Sequence, residues 1–293
     1  MTATTTAEAL LVKGYRQCAK LTYAYGTTYF WGAALLPKPS RKHVYAVYAL
    51  CRLADDIVDD QEAIDSATPE ILGARLQGFV DRFWAALDGG ECTDPVLAAV
   101  VNTVRATEID PECFHRFFGA MAMDLHTTSY LTWDDLLGYM EGSAAVIGEM
   151  MLPVLQPLSP AAREPARSLG FAFQLTNFLR DVNEDLDRGR IYVPLEDIEH
   201  FGVDIHSRKS DEAWKALLAF ELRRNRELYQ HADTGLVHLP PRSAKCVGAA
   251  RVLYSQILDR IEKADYDVFS TRVRVPTWRK ATTAGRILLR GMS

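Results

Sequence analysis

Two groups of carboxylates sit on segments that otherwise read as apolar helices. The first is Arg52-Leu53-Ala54-Asp55-Asp56-Ile57-Val58-Asp59-Asp60. The second runs from Gln174 through Asn177, Arg180, Asp181, Glu184, Asp185 and Asp187. At about 100° per residue, Tyr48, Arg52, Asp55 and Asp59 share a helical stripe about 60° wide. Gln174, Asn177, Asp181 and Asp185 share one about 80° wide. Carboxylates crowded in a dry interior repel and take up protons unless a cation compensates them. Hard oxygen ligands suit Mg²⁺, which prefers a few carboxylates together with the oxygens of a phosphate-bearing substrate. The pattern points to a metal–diphosphate site.

Position along the helices sharpens this reading. Both clusters lie towards helix C-termini, where the dipole is negative and each further acid costs about 0.3–1 kcal/mol. Such acids need a partner. Plain salt bridges to Arg52, Arg180, Arg188 and Arg190 would explain one cluster alone, but two clusters of like chemistry weigh against that account.

The elements that must carry these residues are helical nearly throughout. Periodicity predicts helices over Ala7–Tyr25, Ser40–Asp60, Pro69–Leu87, Asp94–Thr107, Pro111–Leu125, Trp133–Leu152, Pro160–Leu186, Asp211–His231 and Arg242–Tyr266. Ser40, Asp94, Asp110 and Ser159 are the expected caps, the last three followed by proline at the first helical position. Breaks are expected at Pro37/Pro39, Gly89-Gly90, Pro153–Pro157, Gly189 and Pro240-Pro241. Gly138, Gly142 and Gly148, each costing a helix about 1 kcal/mol against alanine, suggest close approach by a ligand or neighbouring helix. No alternating β-branched segment of useful length and no glycine-rich nucleotide loop occurs. The fold expected is all-α, a single domain over 1–293 forming a bundle around a central cavity.

Length and composition bound the rest. The 293 residues are 48% hydrophobic, enough for a sizeable core, and the net charge of −5 gives no general reason to expect nucleic acid. Cys18, Cys51, Cys92, Cys113 and Cys246 are scattered and odd in number, which reads as reduced thiols in a cytoplasmic protein. The first residues lack the pattern of a secretory signal, and no run approaches the roughly 20 apolar residues of a membrane span. The tail over 272–293 holds Arg272, Arg274, Arg279, Lys280, Arg286 and Arg290 without an acid, interleaved with apolar residues. Such a tail reads either as a solvated basic segment that packs a few apolar residues or as a peripheral contact with an anionic membrane face, on the inner leaflet for a cytoplasmic protein. His126, His200 and His206 lack paired ligand spacing.

The stretch Tyr45-Ala46-Val47-Tyr48-Ala49-Leu50-Cys51-Arg52-Leu53-Ala54-Asp55-Asp56-Ile57-Val58-Asp59 resembles the first aspartate-rich motif of the squalene/phytoene synthases. Gln174 to Asp185 resembles their second, followed by Arg188-Gly189-Arg190-Ile191-Tyr192-Val193-Pro194. Further similarity lies at Tyr25–Leu36, Met123-Asp124-Leu125 with Tyr130, Tyr139–Leu152 and Tyr254–Arg279, so that it runs from about Tyr15 to Lys280. Within the family the chain looks most like the bacterial phytoene synthases.

The resemblance implies the all-α isoprenoid synthase fold and head-to-head joining of two allylic prenyl diphosphates through a cyclopropyl diphosphate. It assigns Asp55 and Asp59 to one metal-binding pair and Asn177, Asp181 and Asp185 to the other set, with Mg²⁺ as the ion and Mn²⁺ as a substitute. It makes Arg52, Arg180, Arg190 and Arg272 candidates for holding diphosphate oxygens. Tyr48, Tyr139 and Tyr254 match tyrosines near the diphosphates and the carbocation path, and Gln174 matches a polar residue facing the cavity. Tyr29 lies in the hydroxyl- and aromatic-rich segment Tyr25–Gly32, which either binds diphosphate at a lid or only breaks the first helix. Where Tyr25-Gly26 stand, family members often carry His-Ser. No nicotinamide cofactor is expected.

The chemistry needs these types. Ionising an allylic C–O bond leaves negative charge on diphosphate, which Mg²⁺ and arginine stabilise. The cation left behind must be kept from water by apolar walls and can be stabilised by tyrosine faces. Small residues at Gly32, Ala33 and Ala34 hint at a tunnel deep enough for C20 chains, hence geranylgeranyl diphosphate and phytoene. Farnesyl diphosphate with a squalene or dehydrosqualene product, a cyclising terpene synthase, a non-catalytic assembly subunit and a plain structural bundle are the alternatives.

Overall fold

The computed structural model describes residues 2–59 and 68–270; the side chains of 2–6 and of Asp59 are not described. Asp59 as a ligand, Asp60, Arg272 and the basic tail therefore lie outside the described side chains.

The expected helices form, with boundaries shifted by a few residues. They are α1 (Thr2–Tyr25), α2 (Thr27–Ala33), α3 (Lys38–Asp59), α4 (Pro69–Leu87), α5 (Pro95–Thr107), α6 (Glu112–Met123), α7 (Trp133–Met140), α8 (Val146–Leu155), α9 (Arg163–Asp187), α10 (Leu195–His200), α11 (Glu212–Asp233) and α12 (Pro241–Lys263). Among the described residues there is no strand, only an isolated bridge between Ser129 and Ile191. Capping chemistry explains several starts. Asp94 accepts from Val96 and Leu97 N–H at 2.7 and 3.0 Å, and Thr132 forms a reciprocal capping box with Asp135. Ser40 is no cap: α3 begins at Lys38, just after Pro37.

Two local features differ from the periodic reading. The segment over 27–33, read as either a lid or a break, is the short helix α2. The helix expected from Trp133 to Leu152 is interrupted by a π-helical turn, Glu141–Ala145, which joins α7 to α8. A π turn inserts one extra residue and rotates the following face relative to the preceding one.

Long α9 runs through the middle, packed against α8, α11, α12 and the π turn, while α3 packs on α1, α4, α5 and α8. Backbones approach closely where α9 meets α8 and the π turn. A Cβ on Gly148 would lie 2.2 Å from the Ala166 carbonyl oxygen, and one on Gly170 only 2.4 Å from that of Ala144. The glycines there serve helix–helix approach. Gly138 has open space around it and no such reason. Behind this junction Glu149 binds Arg116 at 2.7 Å, Arg163 at 2.8 Å and also Arg167, tying α6, α8 and α9 together. Burial opposes the charge of Glu149, but the arginine hydrogen bonds outweigh it and hold the carboxyl below its ordinary value. The five cysteines are free, and no described helix is long and apolar enough to cross a membrane.

Candidate active site

Helices α3 and α9 border one elongated apolar cavity. Tyr48 and Cys51 face it from α3, Phe173, Gln174 and Asn177 from α9, and Tyr29 with Gly32 from α2. The π turn and α8 add Ser143, Ile147, Met151 and Leu155, and Leu236 and Leu239 line it as well. The two polar stripes thus lead from a shared greasy chamber, with Arg52 and Asp55 one and two turns beyond Tyr48, and Asp181 one turn beyond Asn177.

The two carboxylate banks have different surroundings. On α3, Arg52 binds Asp55 at 3.3 Å and also Asp56, whose side chains are 43% and 36% exposed. A dry interior was expected here; this bank is instead half open to solvent. On α9, Arg180 donates two hydrogen bonds to Asp181, Nε at 2.7 Å, and both side chains are largely buried, 16% and 14% exposed. Burial works against the Arg180 charge, but the Asp181 hydrogen bond and charge outweigh it and raise its pKa. Asp185 lies one turn further on, and its carbonyl receives the Arg190 N–H at 2.8 Å. Among the described residues, no three of His, Cys, Asp and Glu are drawn together as a ready metal cage.

One orphan stands out. The buried Asn177 Oδ1 has no hydrogen-bond partner, although it lines the cavity beside the acidic stripe. A buried carbonyl oxygen left unsatisfied costs about 1–3 kcal/mol, so a donor or cation is wanted there. Hard oxygens from an amide and neighbouring carboxylates fit Mg²⁺.

Tyr29, Tyr48 and Tyr254 form an aromatic cluster. Tyr29 lies 5.5 Å from Tyr48, 5.8 Å from Tyr254 and 5.9 Å from Phe173, and Phe173 lies 4.5 Å from Tyr254, centroid to centroid. Burial raises the pKa of Tyr29 and of Tyr48, so both remain phenols. Gly26 makes room for this arrangement: a Cβ there would fall 2.5 Å from the Tyr48 ring. The arginine of the first bank also stacks on Tyr25, 4.6 Å from its centroid.

Tyr139 and Arg190 sit apart from the cavity lining. Tyr139 is buried, donates to Asp124 at 2.9 Å and stacks with Tyr130, Phe178 and Tyr192. Burial, with Asp124 beside it, drives its pKa well up. The buried Arg190 reaches the Asp124 carbonyl oxygen at 3.2 Å and the Tyr192 hydroxyl at 3.4 Å. Ile191 N–H to the Thr128 carbonyl, 2.7 Å, pins this loop. The structure thus gathers Tyr29, Tyr48, Gln174 and Asn177 on the cavity, with Tyr254 packed on Tyr29 and Phe173, and sets Tyr139 with Arg190 behind them.

Sequence reasoning missed Phe173, which lies on the Asn177 side of α9 one turn earlier. It also missed Asp124 as the anchor of Tyr139, and Ser143, whose position depends on the π turn. Of the small residues read as tunnel markers, Gly32 lines the cavity, Ala33 is core and Ala34 faces a different pocket.

Comparison with known proteins agrees with this architecture. The chain is 36% identical to the phytoene synthase of Arthrospira platensis, over 91% of this chain and 89% of that one. It is 35% identical to the 15-cis-phytoene synthase of Synechococcus elongatus, over 96% and 94%. A dehydrosqualene synthase crystal structure in complex with a ligand superposes with a TM-score of 0.85 at 27% identity, covering 94% of this chain and 96% of that one. The squalene synthase of Alicyclobacillus acidocaldarius gives 0.78 at 28%, covering 88% and 96%. Residues 22–279 match the squalene/phytoene synthase family model. With that span and these relatives, the chain belongs to the squalene/phytoene synthase family.

Proposed function

We propose that this protein is a prenyltransferase that joins two geranylgeranyl diphosphates head to head, through prephytoene diphosphate, to give phytoene. The observation that carries the reading is the apolar cavity whose walls lead, on α3 and α9, to the two oxygen-rich banks. The 35–36% identity to phytoene synthases over nine-tenths of the chain selects the product. One all-α unit carries the whole site.

Asp55, Asp59, Asn177, Asp181 and Asp185 would hold Mg²⁺, with Mn²⁺ as a substitute. The ion, when bound, supplies positive charge that stabilises the departing diphosphate. Arg52 and Arg180 now neutralise Asp55 and Asp181. They are placed to turn to diphosphate oxygens once those acids have another cation, which keeps charge balanced throughout. Arg190 and Arg272 complete the proposed diphosphate holders. Apolar walls that include Ile147 and Leu239 exclude water from the allylic cation, while Tyr29, Tyr48 and Tyr254 offer a cluster of ring faces. Gln174 orients the substrate there. Tyr139, fixed by Asp124, positions Phe178 and Tyr192 next to the Arg190 loop.

The similarity to dehydrosqualene and squalene synthase structures favours a second reading, the same reaction on farnesyl diphosphate. Product analysis by mass, with Mg²⁺ and each labelled diphosphate in turn, separates them: C40 hydrocarbon is expected, and exclusive C30 product overturns the C20 assignment. A cyclic product from one substrate would indicate a terpene cyclase. The basic tail over 272–293 is proposed to give peripheral membrane contact on the cytoplasmic side, and no nucleic-acid or nicotinamide partner is proposed.

A further inference from the structure

Three ionisable residues meet in the interior outside the lining of the apolar cavity. Arg224 on α11 donates through a single nitrogen, Nη1, to Glu221 Oε1 and to Asp197 Oδ2, each at 2.8 Å. Glu221 is fully buried and Asp197 is buried as well. The two carboxyl groups also lie within hydrogen-bonding reach of each other, and Glu221 Oε2 has no donor. Two rings hold the guanidinium: its central carbon is 4.3 Å from the Trp133 centroid and 4.6 Å from that of Phe220.

Charge does not balance if all three groups ionise. One guanidinium would face two carboxylates, and the surplus negative charge would sit in a place closed to water. Carboxylates that share a dry site do not both ionise; one keeps its proton. Glu221 is the one pushed up, to about 8, mainly by burial, with Arg224 opposing the rise and Asp197 adding to it. A proton there turns two facing acceptors into a donor and an acceptor, so one step satisfies both geometry and charge.

The polar groups of the neighbouring helices are engaged elsewhere. On α9, Thr176 meets Asn225 and Tyr229, Arg180 is held by Asp181 with Glu184 near it, and Asn183 accepts from Arg208. On α12, Asp259 and Glu262 pair with Arg226, and Arg251 pairs with Asp233. On α10, Glu196 accepts from the Trp133 N–H at 2.7 Å.

Position in the chain gives the cluster its use. Asp197 stands in the first turn of α10, which follows the Arg188–Pro194 loop. Backbone bonds run back along this stretch: Glu196 N–H to the Leu131 carbonyl at 3.0 Å, Leu195 N–H to that of Tyr130 at 3.0 Å, and Ile191 N–H to that of Thr128 at 2.7 Å. Arg190 lies at its start, buried beside Asp124 and Tyr192. The whole stretch is tied to α11 through Asp197.

We infer that Glu221 retains its proton and donates a hydrogen bond to Asp197, forming with Arg224 a neutral buried latch between α10 and α11 that positions the Arg190 loop. Glu221 is a positioning residue in this arrangement and touches no substrate. Its consequence for turnover rests on the proposed function, in which Arg190 holds diphosphate. Linkage fixes the sign. Opening exposes Glu221 to water, where a carboxyl loses its proton near 4.5. The latch is therefore strongest below about 4.5, and its opening equilibrium rises about tenfold per pH unit until about pH 8.

The test compares the full-length protein with Glu221→Gln, which keeps a donor for Asp197 and cannot ionise. Hydrogen exchange at the Ile191, Leu195 and Glu196 amides, corrected for intrinsic rates, should report opening that rises about tenfold from pH 6 to 7 in the parent and stays level in the variant. The infrared band of a protonated carboxyl group should be present in the parent at pH 6, fade through about pH 8 and be missing from the variant. Turnover of geranylgeranyl diphosphate by the parent, relative to the variant, should fall about tenfold between pH 7 and 9. Identical exchange profiles in the two proteins, or no infrared band lost on substitution, overturn the latch. Identical pH–rate profiles overturn its positioning role. Absence of turnover from both proteins at every pH would count against the proposed reaction, while exchange and infrared spectra would still decide whether the latch exists.

Discussion

The two acid-bearing helix ends use the same residue types in opposite settings. On α3 the Arg52–Asp55–Asp56 group is half exposed. On α9 the Arg180–Asp181 pair is largely buried and bidentate, beside the unsatisfied Asn177 oxygen. The buried bank is held by packing from α8, α11 and α12; the open one is held by its own arginine. The contrast teaches that one half of the proposed site is held by surrounding packing, while the other is held only by its own helix and faces solvent.

The largest expected effect tests whether both halves are needed. Asp55→Ala and Asp181→Ala should each cut phytoene formation by more than about 1000-fold, as should chelation of Mg²⁺, with helical circular dichroism near normal. Persistent turnover in either variant breaks the pairing of the two banks. Asn177→Ala should lower activity by about 100-fold at limiting Mg²⁺, with partial recovery in excess metal. A loss independent of Mg²⁺ concentration would remove Asn177 from the ligand set. Gly26→Ala, which pushes a Cβ into the Tyr48 ring, should lower kcat by about tenfold or more while the protein stays folded.

Stability sharpens the same contrast. Asp181→Ala leaves a mostly buried guanidinium without its bidentate partner and should cost roughly 2 kcal/mol in urea unfolding, less than the full cost for a wholly buried pair. Asp55→Ala leaves Arg52 its Asp56 partner and solvent, and should cost at most about 1 kcal/mol. Equal losses would erase the difference between the regions. The smallest effect concerns pH. Glu221, buried on α11 behind α9, has its pKa raised to about 8 by burial, against the opposing charge of Arg224 and with Asp197 adding to the rise. A folded-state value above the ordinary one gives stability that is full below about 4.5 and is lost as pH rises towards 8. Tm should therefore fall between pH 5 and 8 in the parent, and by less in Glu221→Gln.

Much of this was legible before any coordinates. The 3.6 period placed α4 to the residue and α9 within three residues, because long amphipathic helices repeat their signal. Asp94 before Pro95 marked a true start for the same local reason. Short α2 was ambiguous, since seven residues hold too few periods, and the π turn left no mark in a sequence that stays helical on both sides. The acidic stripes were readable as stripes; their solvent exposure was not, because exposure depends on what packs opposite.

The chain alone determined which oxygens lie in line on α3 and α9, because helical geometry converts spacing into direction without help from other segments. Tertiary packing alone decided that Asn177 is left unsatisfied, that Tyr139 turns to Asp124, and that Glu221 and Asp197 meet on one guanidinium. Those outcomes depend on contacts between residues far apart in sequence, and no local rule carries that information.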